Sequence, residues 1–562
     1  MNVLSRCIVL LLSFVVTLCG CRRSDVITYD LVLRGGKIVD GTGNPWTHGD
    51  VAIVGDRIAA VGRLPVHEAL REIDCLGLVV APGFIDMHSH SDWLLLEDGN
   101  AQSKIRQGVT TDILGERNSG GPFTGKLARK TMELDGRIES WSTLGEYFDL
   151  LERRSISINA ASYVGMGNLW RCVMGESFDR PTPQQFAEMK DLLRHALDDG
   201  ALGLSCMLAE TPGLLSTTDD VIELAKVVAV HGGIYSSHIR NEGTGVLTAI
   251  KEAIAVGERA GVRVDIIHIK IAEQKLWGRM DQIVALIEAA RARGVDVQSN
   301  VYPYTRGNNA LASIIPPWAH EGGNDKMRER LRSPAERAKI KKDVITGLDD
   351  WYNHYLAVGG DWSRMLVNAD LSAANKQFEG QTMDRIIAAK TGSESVSESR
   401  ALDVLFDFLL EEKSSISTIY AHHTEADRNL VLSQPWCSVG SDGSAYATEG
   451  PLRRGKPHPR NFGTFPRILG KFVREDKLLR LEDAVRKMTS LNATKAGLRD
   501  RGQLRAGFFA DVCIFDETTV IDKATYLEPF QYNEGIEHVI VNGVLVLENN
   551  EHTGARPGRA LR

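Results

Sequence analysis

At 562 residues the chain exceeds what one simple core usually holds, so a large domain with a smaller companion, or three compact units, is expected. Its composition, 43% hydrophobic and 25% charged, is that of an ordinary globular protein, with no internal repeat or low-complexity tract. A net charge of -7 gives no electrostatic footprint for nucleic acid or anionic lipid.

Met1 to Arg6 is short and carries one positive charge, and Cys7 to Leu18 is apolar. That run suits a signal-peptide core and is too short to span a bilayer. Leu18-Cys19-Gly20-Cys21 resembles a bacterial lipobox. The resemblance implies a signal peptide over residues 1–20 and a lipid on the Cys21 thiol. The globular part would then lie in the periplasm or outside the cell, touching the membrane through its lipid alone. A plain secretory signal is the alternative. Beyond Cys21 remain Cys75, Cys172, Cys206, Cys437 and Cys513. Their number is odd and no pair has CxxC spacing, so they are expected as buried thiols.

From Tyr29 to about Val80 short strands alternate with turns such as Gly35-Gly36 and Gly41-Thr42-Gly43-Asn44-Pro45. The C-terminal part has the same texture, in Ala510–Phe515 and Val539–Val546. The two β-rich ends, residues 28–80 and 496–562, are expected to build one small β-sandwich domain. Between them, over residues 81–495, strand and helix patterns alternate. The candidate strands are Leu78–Ile85, Val109–Leu114, Ile156–Val164, Ala201–Met207, Ile234–His238, Val264–Ile269, Val295–Tyr302 and Cys437–Gly440. Eight βα units in this order predict an α/β fold, a (β/α)8 TIM barrel. The charged, partly helical stretch from about 318 to 415 does not fit a single unit. It is expected as an insertion between strands seven and eight, forming either a lid over the barrel mouth or a surface decoration.

The first candidate strand runs into His88-Ser89-His90. Residues i and i+2 of a strand share a face, so both imidazoles can reach one metal ion. Four further strands end in metal-competent side chains: Glu116, His238, His268 and Asp442. Any one of these alone is more often a satisfied structural residue. Together, at the strand ends where such a barrel builds its site, they suit Zn2+ with a position open to water.

Here the chain resembles the amidohydrolase superfamily, and more closely the N-acyl-D-amino-acid deacylases. The matching segments include PGFIDMHSHSD, IRQGVTTDILGE, YSSHIRNEG, VDIIHIK, YPY at Tyr302–Tyr304, VGSDG and HPRNFGTFPRILG. The resemblance implies zinc, one ion or two, held or surrounded by His88, His90, His238, His268 and Asp442. It also implies a cationic clamp for a substrate carboxylate, made of Lys270, Tyr302 and Arg460.

The chain departs from that pattern in places. Where the family often carries a cysteine after strand two, this sequence has Arg117, which cannot bind a cation. Glu116 is the replacement ligand, able to bind or bridge zinc; the alternative is an ion pair with Arg117 or Arg240. Strand four has no lysine to bridge two metals. Glu210 stands where the family usually has a substrate-touching tyrosine, and Asn300 where an aspartate usually precedes YPY. A glutamate there would disfavour acidic side chains on the substrate.

The reaction expected is amide hydrolysis of an N-acyl-D-amino acid. Asp442 would take a proton from water and hand it to the leaving amine, which is too poor a leaving group as an anion. A turn role in Ser441-Asp442-Gly443 is the bland alternative. A D-amino-acid dipeptidase or cyclic-amide hydrolase acting on a short peptide or ring is the first rival. An inactive envelope binding lipoprotein is the second.

Overall fold

The computed structural model describes residues 27–562. The expected signal segment 1–20 and Cys21 lie outside these residues.

Eight strand positions make up the central body. They are β1 (Phe84–Asp86), β2 (Val109–Leu114), β3 (Asn159–Ser162, continued by Val164–Gly165), β4 (Gly203–Met207), β5 (Ile234–His238), β6 (Arg263–Ile266), β7 (Val297–Val301) and β8 (Cys437–Val439). Each pairs in parallel with the next. The ring closes just beyond the strand ends, where Ser89 and Gly443 form a parallel bridge and Asp442 N donates to His88 O at 2.8 Å. Nearly every strand residue is buried, as a parallel sheet covered by helices requires. Helices such as Thr218–Val230 and Val246–Ala260 return the chain outside the ring. Thr217 caps the first with its side chain, and Gly261, in the left-handed region at φ +67°, ends the second.

The run Leu78–Ile85 is two strands, not one. Val79–Pro82 belongs to the terminal sheet and Phe84–Asp86 to the barrel. Gly83 separates them because a Cβ there would meet the Thr110 side chain at 2.3 Å. The terminal sheet therefore reaches Pro82, beyond the expected limit at residue 80.

Both ends of the chain share one nine-stranded sheet. Its long first strand, Ile27–Ile38, forks. It runs antiparallel to Thr47–Val54 on one side, and on the other runs parallel first to His67–Asp74 and then to Val79–Pro82. Val512–Phe515 pairs antiparallel with Val79–Pro82 and so stitches the two ends together. Leu33, Val51, Ile53, Val512, Ile514 and Ile540 fill its core. The last residues leave this sheet: Ala160 N donates to Arg559 O at 2.9 Å and Leu561 N to Ala160 O at 2.8 Å, against β3.

Between β7 and β8 lies a unit with its own core, including Leu311, Ile314, Met327, Ile386, Leu405 and Phe408. It is wider than the expected 318–415. Gly307–Ala310 and Ser417–Tyr420 pair antiparallel, so both ends of the segment are drawn into one three-stranded sheet with Met365–Val367. The five cysteines named above are free and buried. Among the described residues no helix is long and apolar enough to cross a membrane.

Candidate metal centre

The barrel's C-terminal end gathers the residues that the sequence singled out. Past β1, Asp86 Oδ1 accepts from His88 N at 3.2 Å and from Ser441 N at 2.7 Å, so one carboxylate sets both the His88 turn and the turn that carries Asp442. Past β2, Gly115 sits at φ +91°, where a Cβ would meet Tyr163 O at 2.4 Å; this turn swings Glu116 inward. His268 and Asp442 hold left-handed backbones at φ 38° and 52°. Such conformations cost about 1–3 kcal/mol each and cluster at functional sites. Asn300 holds the His268 turn: its Oδ1 accepts from His268 N at 2.9 Å while its Nδ2 donates to Asp265 Oδ2 at 2.8 Å. An aspartate there could not make the second bond, which gives the departure at Asn300 a structural reason.

The side chains converge around Glu116. Its Oε2 lies 2.7 Å from His88 Nε2 and 3.0 Å from His90 Nε2. Its Oε1 lies 3.0 Å from His238 Nδ1 and 4.0 Å from His268 Nε2. Asp442 Oδ1 is 3.0 Å from His90 Nε2 and 3.7 Å from His88 Nε2. Two donor sets result, His88–His90–Glu116–Asp442 and Glu116–His238–His268, each with ligand atoms within 4.8 Å of one another. Glu116 is common to both.

The electrostatics suit a cation. Burial opposes ionisation of Glu116, yet the charge of His88 and hydrogen bonds from His238, His88 and His90 hold its carboxyl well below the usual carboxylate range. Burial, reinforced by the charges of Lys270 and His238, pushes His268 down to about 4, which keeps its imidazole neutral. Buried Asp442 is held low chiefly by Arg460, with His88 next. Arg460 meets Asp442 at Oδ2, 2.8 Å away, while Oδ1 faces His90 and His88. Imidazole and carboxylate donors in this number fit zinc.

The ion-pair alternative for Glu116 is not what forms. Arg117 pairs with Glu210 at 2.7 Å and Arg240 with Glu252 at 2.8 Å. Glu210 also accepts from Asn309 at 2.9 Å. Its charge is therefore compensated, and the expected penalty against acidic substrate side chains loses its basis.

The three residues expected at the carboxylate clamp separate. Arg460 lies over the Tyr302 ring at 4.9 Å, and the buried Tyr302 hydroxyl has no partner among the described residues. Lys270 is instead committed to the ligand turn: its Nζ is 2.5 Å from Glu242 Oε1 and 2.8 Å from His268 Nδ1. Lys270 is thus held against Glu242 and His268. Glu242 was not foreseen. It lies 3.2 Å from His268 Nδ1 and 3.6 Å from His238 Nε2, and its signal was the Asn241-Glu242-Gly243 that follows His238 by a few residues. A cavity of about 730 Å3 opens over the centre, with one wall supplied by the insertion.

Comparison with known proteins follows the same line. The model of the Amidohydrolase family matches residues 440–547. An N-acyl-D-glutamate deacylase of Alcaligenes xylosoxydans xylosoxydans is 36% identical over 537 residues, 95% of this chain and 96% of that protein. The crystal structure of an N-acyl-D-glutamate deacylase from Bordetella bronchiseptica, complexed with zinc and a phosphonate mimic of the tetrahedral intermediate, superposes with a TM-score of 0.77 at 32% identity, covering 95% of this chain and 100% of that one. A D-aminoacylase solved in work on the role of its binuclear metal centre gives a TM-score of 0.76 at 32% identity, with 95% and 100% covered.

Proposed function

The chain belongs to the N-acyl-D-amino-acid deacylases of the amidohydrolase family, and we propose that it hydrolyses the amide bond of N-acyl-D-amino acids with zinc. Water adds its oxygen to the acyl carbon, the C–N bond breaks, and a carboxylate and a free D-amino acid leave. The observation that carries this reading is the Glu116 carboxylate, set between two imidazole sets at the barrel mouth. The residues that would hold zinc are His88, His90, Glu116, His238, His268 and Asp442, at two neighbouring positions that share Glu116. When bound, zinc supplies Lewis acidity toward water and the acyl carbonyl. Asp442 Oδ1 takes a proton from the attacking water and delivers it to the amine nitrogen. Arg460 keeps Asp442 ionised through Oδ2, while its remaining N–H groups and the free Tyr302 hydroxyl receive the substrate carboxylate. Turnover of N-acyl-D, N-acyl-L, dipeptide and hydantoin substrates by the zinc-loaded protein tests the reading. A preference for the dipeptide or the ring would move it to the first rival, and fewer than about one zinc per two chains would favour an inactive barrel.

The lipobox at Leu18–Cys21 supports a cell-envelope lipoprotein, anchored through Cys21 with the barrel outside the cytoplasm. Mass spectrometry of the mature N-terminus would show a diacylglyceryl cysteine at position 21; an unmodified Cys21 would contradict the anchor.

A further inference from the structure

Deacylation explains the metal centre but leaves the opposite wall of the cavity unused. Three strands of the insertion present polar side chains there. Asn368 Nδ2 donates to Asn308 Oδ1 at 2.8 Å, and Ser417 Oγ donates to the same oxygen at 3.2 Å. This fixes the row Asn308, Ser417 and Asn368 across neighbouring strands and occupies the Asn308 acceptor. Two other atoms are left over. Asn368 Oδ1 and Ser414 Oγ are buried and have no partner among the described residues, in residues only 7% and 8% exposed that line the cavity. Ser414 is brought there by a strained turn: Lys413 and Ser414 both hold positive φ, 52° and 66°, after the helix Glu398–Glu411. Two unpartnered polar atoms in residues that line one cavity wall, one of them on a backbone held at positive φ, point to a ligand.

The chemistry of the leftover atoms specifies what they bind. An amide oxygen and a hydroxyl ask for a hydrogen-bond donor, with the hydroxyl also able to give one. A methylene chain laid against them would leave both unpaired. The substrate has two variable parts. The side chain of an amino acid is bounded in size, whereas the acyl group is not. A cavity of about 730 Å3 sits in the upper part of the range for small-molecule pockets, roughly 300–1,000 Å3, and is larger than an acetyl group needs.

We propose that Asn368 and Ser414, with Asn308 and Ser417 behind them, form an acyl-group subsite for acyl chains that themselves carry an amide, so that peptide-like conjugates ending in a D-residue are preferred over aliphatic N-acyl-D-amino acids. The proposal rests on the deacylase reading and adds the class of acyl group. The test compares N-(acetylglycyl) and N-pentanoyl derivatives of the same D-residue, which match in chain length. The zinc-loaded protein is expected to favour the acetylglycyl substrate in kcat/KM by about tenfold or more. Asn368→Leu and, separately, Ser414→Ala are expected to bring that ratio toward one. A pentanoyl substrate cleaved as well or better, or a ratio unmoved by both substitutions, overturns the subsite. Calorimetric titration of zinc-loaded Asp442→Asn with the two compounds reads the same preference as binding. If neither compound, nor the N-acetyl parent, is turned over by the unsubstituted protein, the deacylase reading fails while the titration still decides the subsite.

Discussion

Arg460 Nη1 lies 2.8 Å from Asp442 Oδ2, which ties the residue assigned to proton transfer to a residue assigned to substrate binding. Of the influences that lower the Asp442 carboxyl against its burial, the Arg460 charge is the largest. Removing it in Arg460→Met raises that carboxyl. Activity that needs ionised Asp442 is lost as pH falls through its pKa, so the acid limb of kcat/KM against pH moves to higher pH. The loss at neutral pH is expected to be about 10- to 100-fold, the worth of charge-assisted hydrogen bonds to the substrate carboxylate. Arg460→Lys keeps the charge and the position of the limb but cannot bind a carboxylate in two parallel bonds, so its effect falls on KM. An acid limb that stays put in Arg460→Met would show that Asp442 is held low without Arg460.

Glu116 divides its two oxygens between two imidazole pairs. Glu116→Gln keeps one carbonyl oxygen and can serve one of them. It is expected to retain one tightly held zinc and lose the second, whereas Glu116→Ala weakens both positions, with metal affinity down about 10- to 100-fold or more. Metal content after dialysis against limiting chelator measures this. Equal zinc in the parent and in Glu116→Gln would remove the shared-ligand role.

Arg117 faces the cavity as a neutralised cation, held by Glu210 at 2.7 Å. Glu210→Gln frees that guanidinium. The ratio of kcat/KM for N-acetyl-D-glutamate over N-acetyl-D-glutamine is then expected to rise by about tenfold, the worth of a charge-assisted hydrogen bond. An unchanged ratio would mean that the substrate side chain points elsewhere.

How far the sequence disclosed this site follows from what each residue depends on. His238 ends β5, and His88, His90, His268 and Asp442 stand on turns just past buried strands, so the succession of parallel strands carries all five to one mouth. Glu116 was legible for the same reason, one residue past the glycine that ends β2. The partner of Lys270 was not legible, because sharing the face of His268 says nothing of Glu242, on the turn after β5, which holds its ammonium. Glu210 was misread because its compensating Arg117 is 93 positions away in sequence. The division of Leu78–Ile85 into two sheets was hidden by continuous apolar character on both sides of Gly83. The polar wall from the insertion was out of reach, since it depends on which edges of a three-stranded sheet face the barrel.

Beneath the centre a second relationship sets its geometry. Lys104, with only 1% of its side chain exposed, lies 2.6 Å from Asp86 Oδ2 and 3.6 Å from Asp112 Oδ1, and donates to Ser441 Oγ at 3.0 Å. One cation thus serves two fully buried carboxylates. Even with it, Asp112 is pushed up to about 6, by burial first and by Asp86, against the pull of Lys104. Removing the cation leaves charge without a partner, which costs about 3–5 kcal/mol for a buried pair. Lys104→Met is therefore expected to lower the unfolding free energy read from urea titration by that order. Lys104→Met with Asp86→Asn, which removes one stranded charge, should recover part of the loss. Because Asp86 holds both the His88 and the Ser441 backbone, the single variant should also lose zinc affinity although Lys104 touches no ligand atom. A variant that melts early but binds zinc as before would confine Lys104 to stability and free the ligand turns from its control.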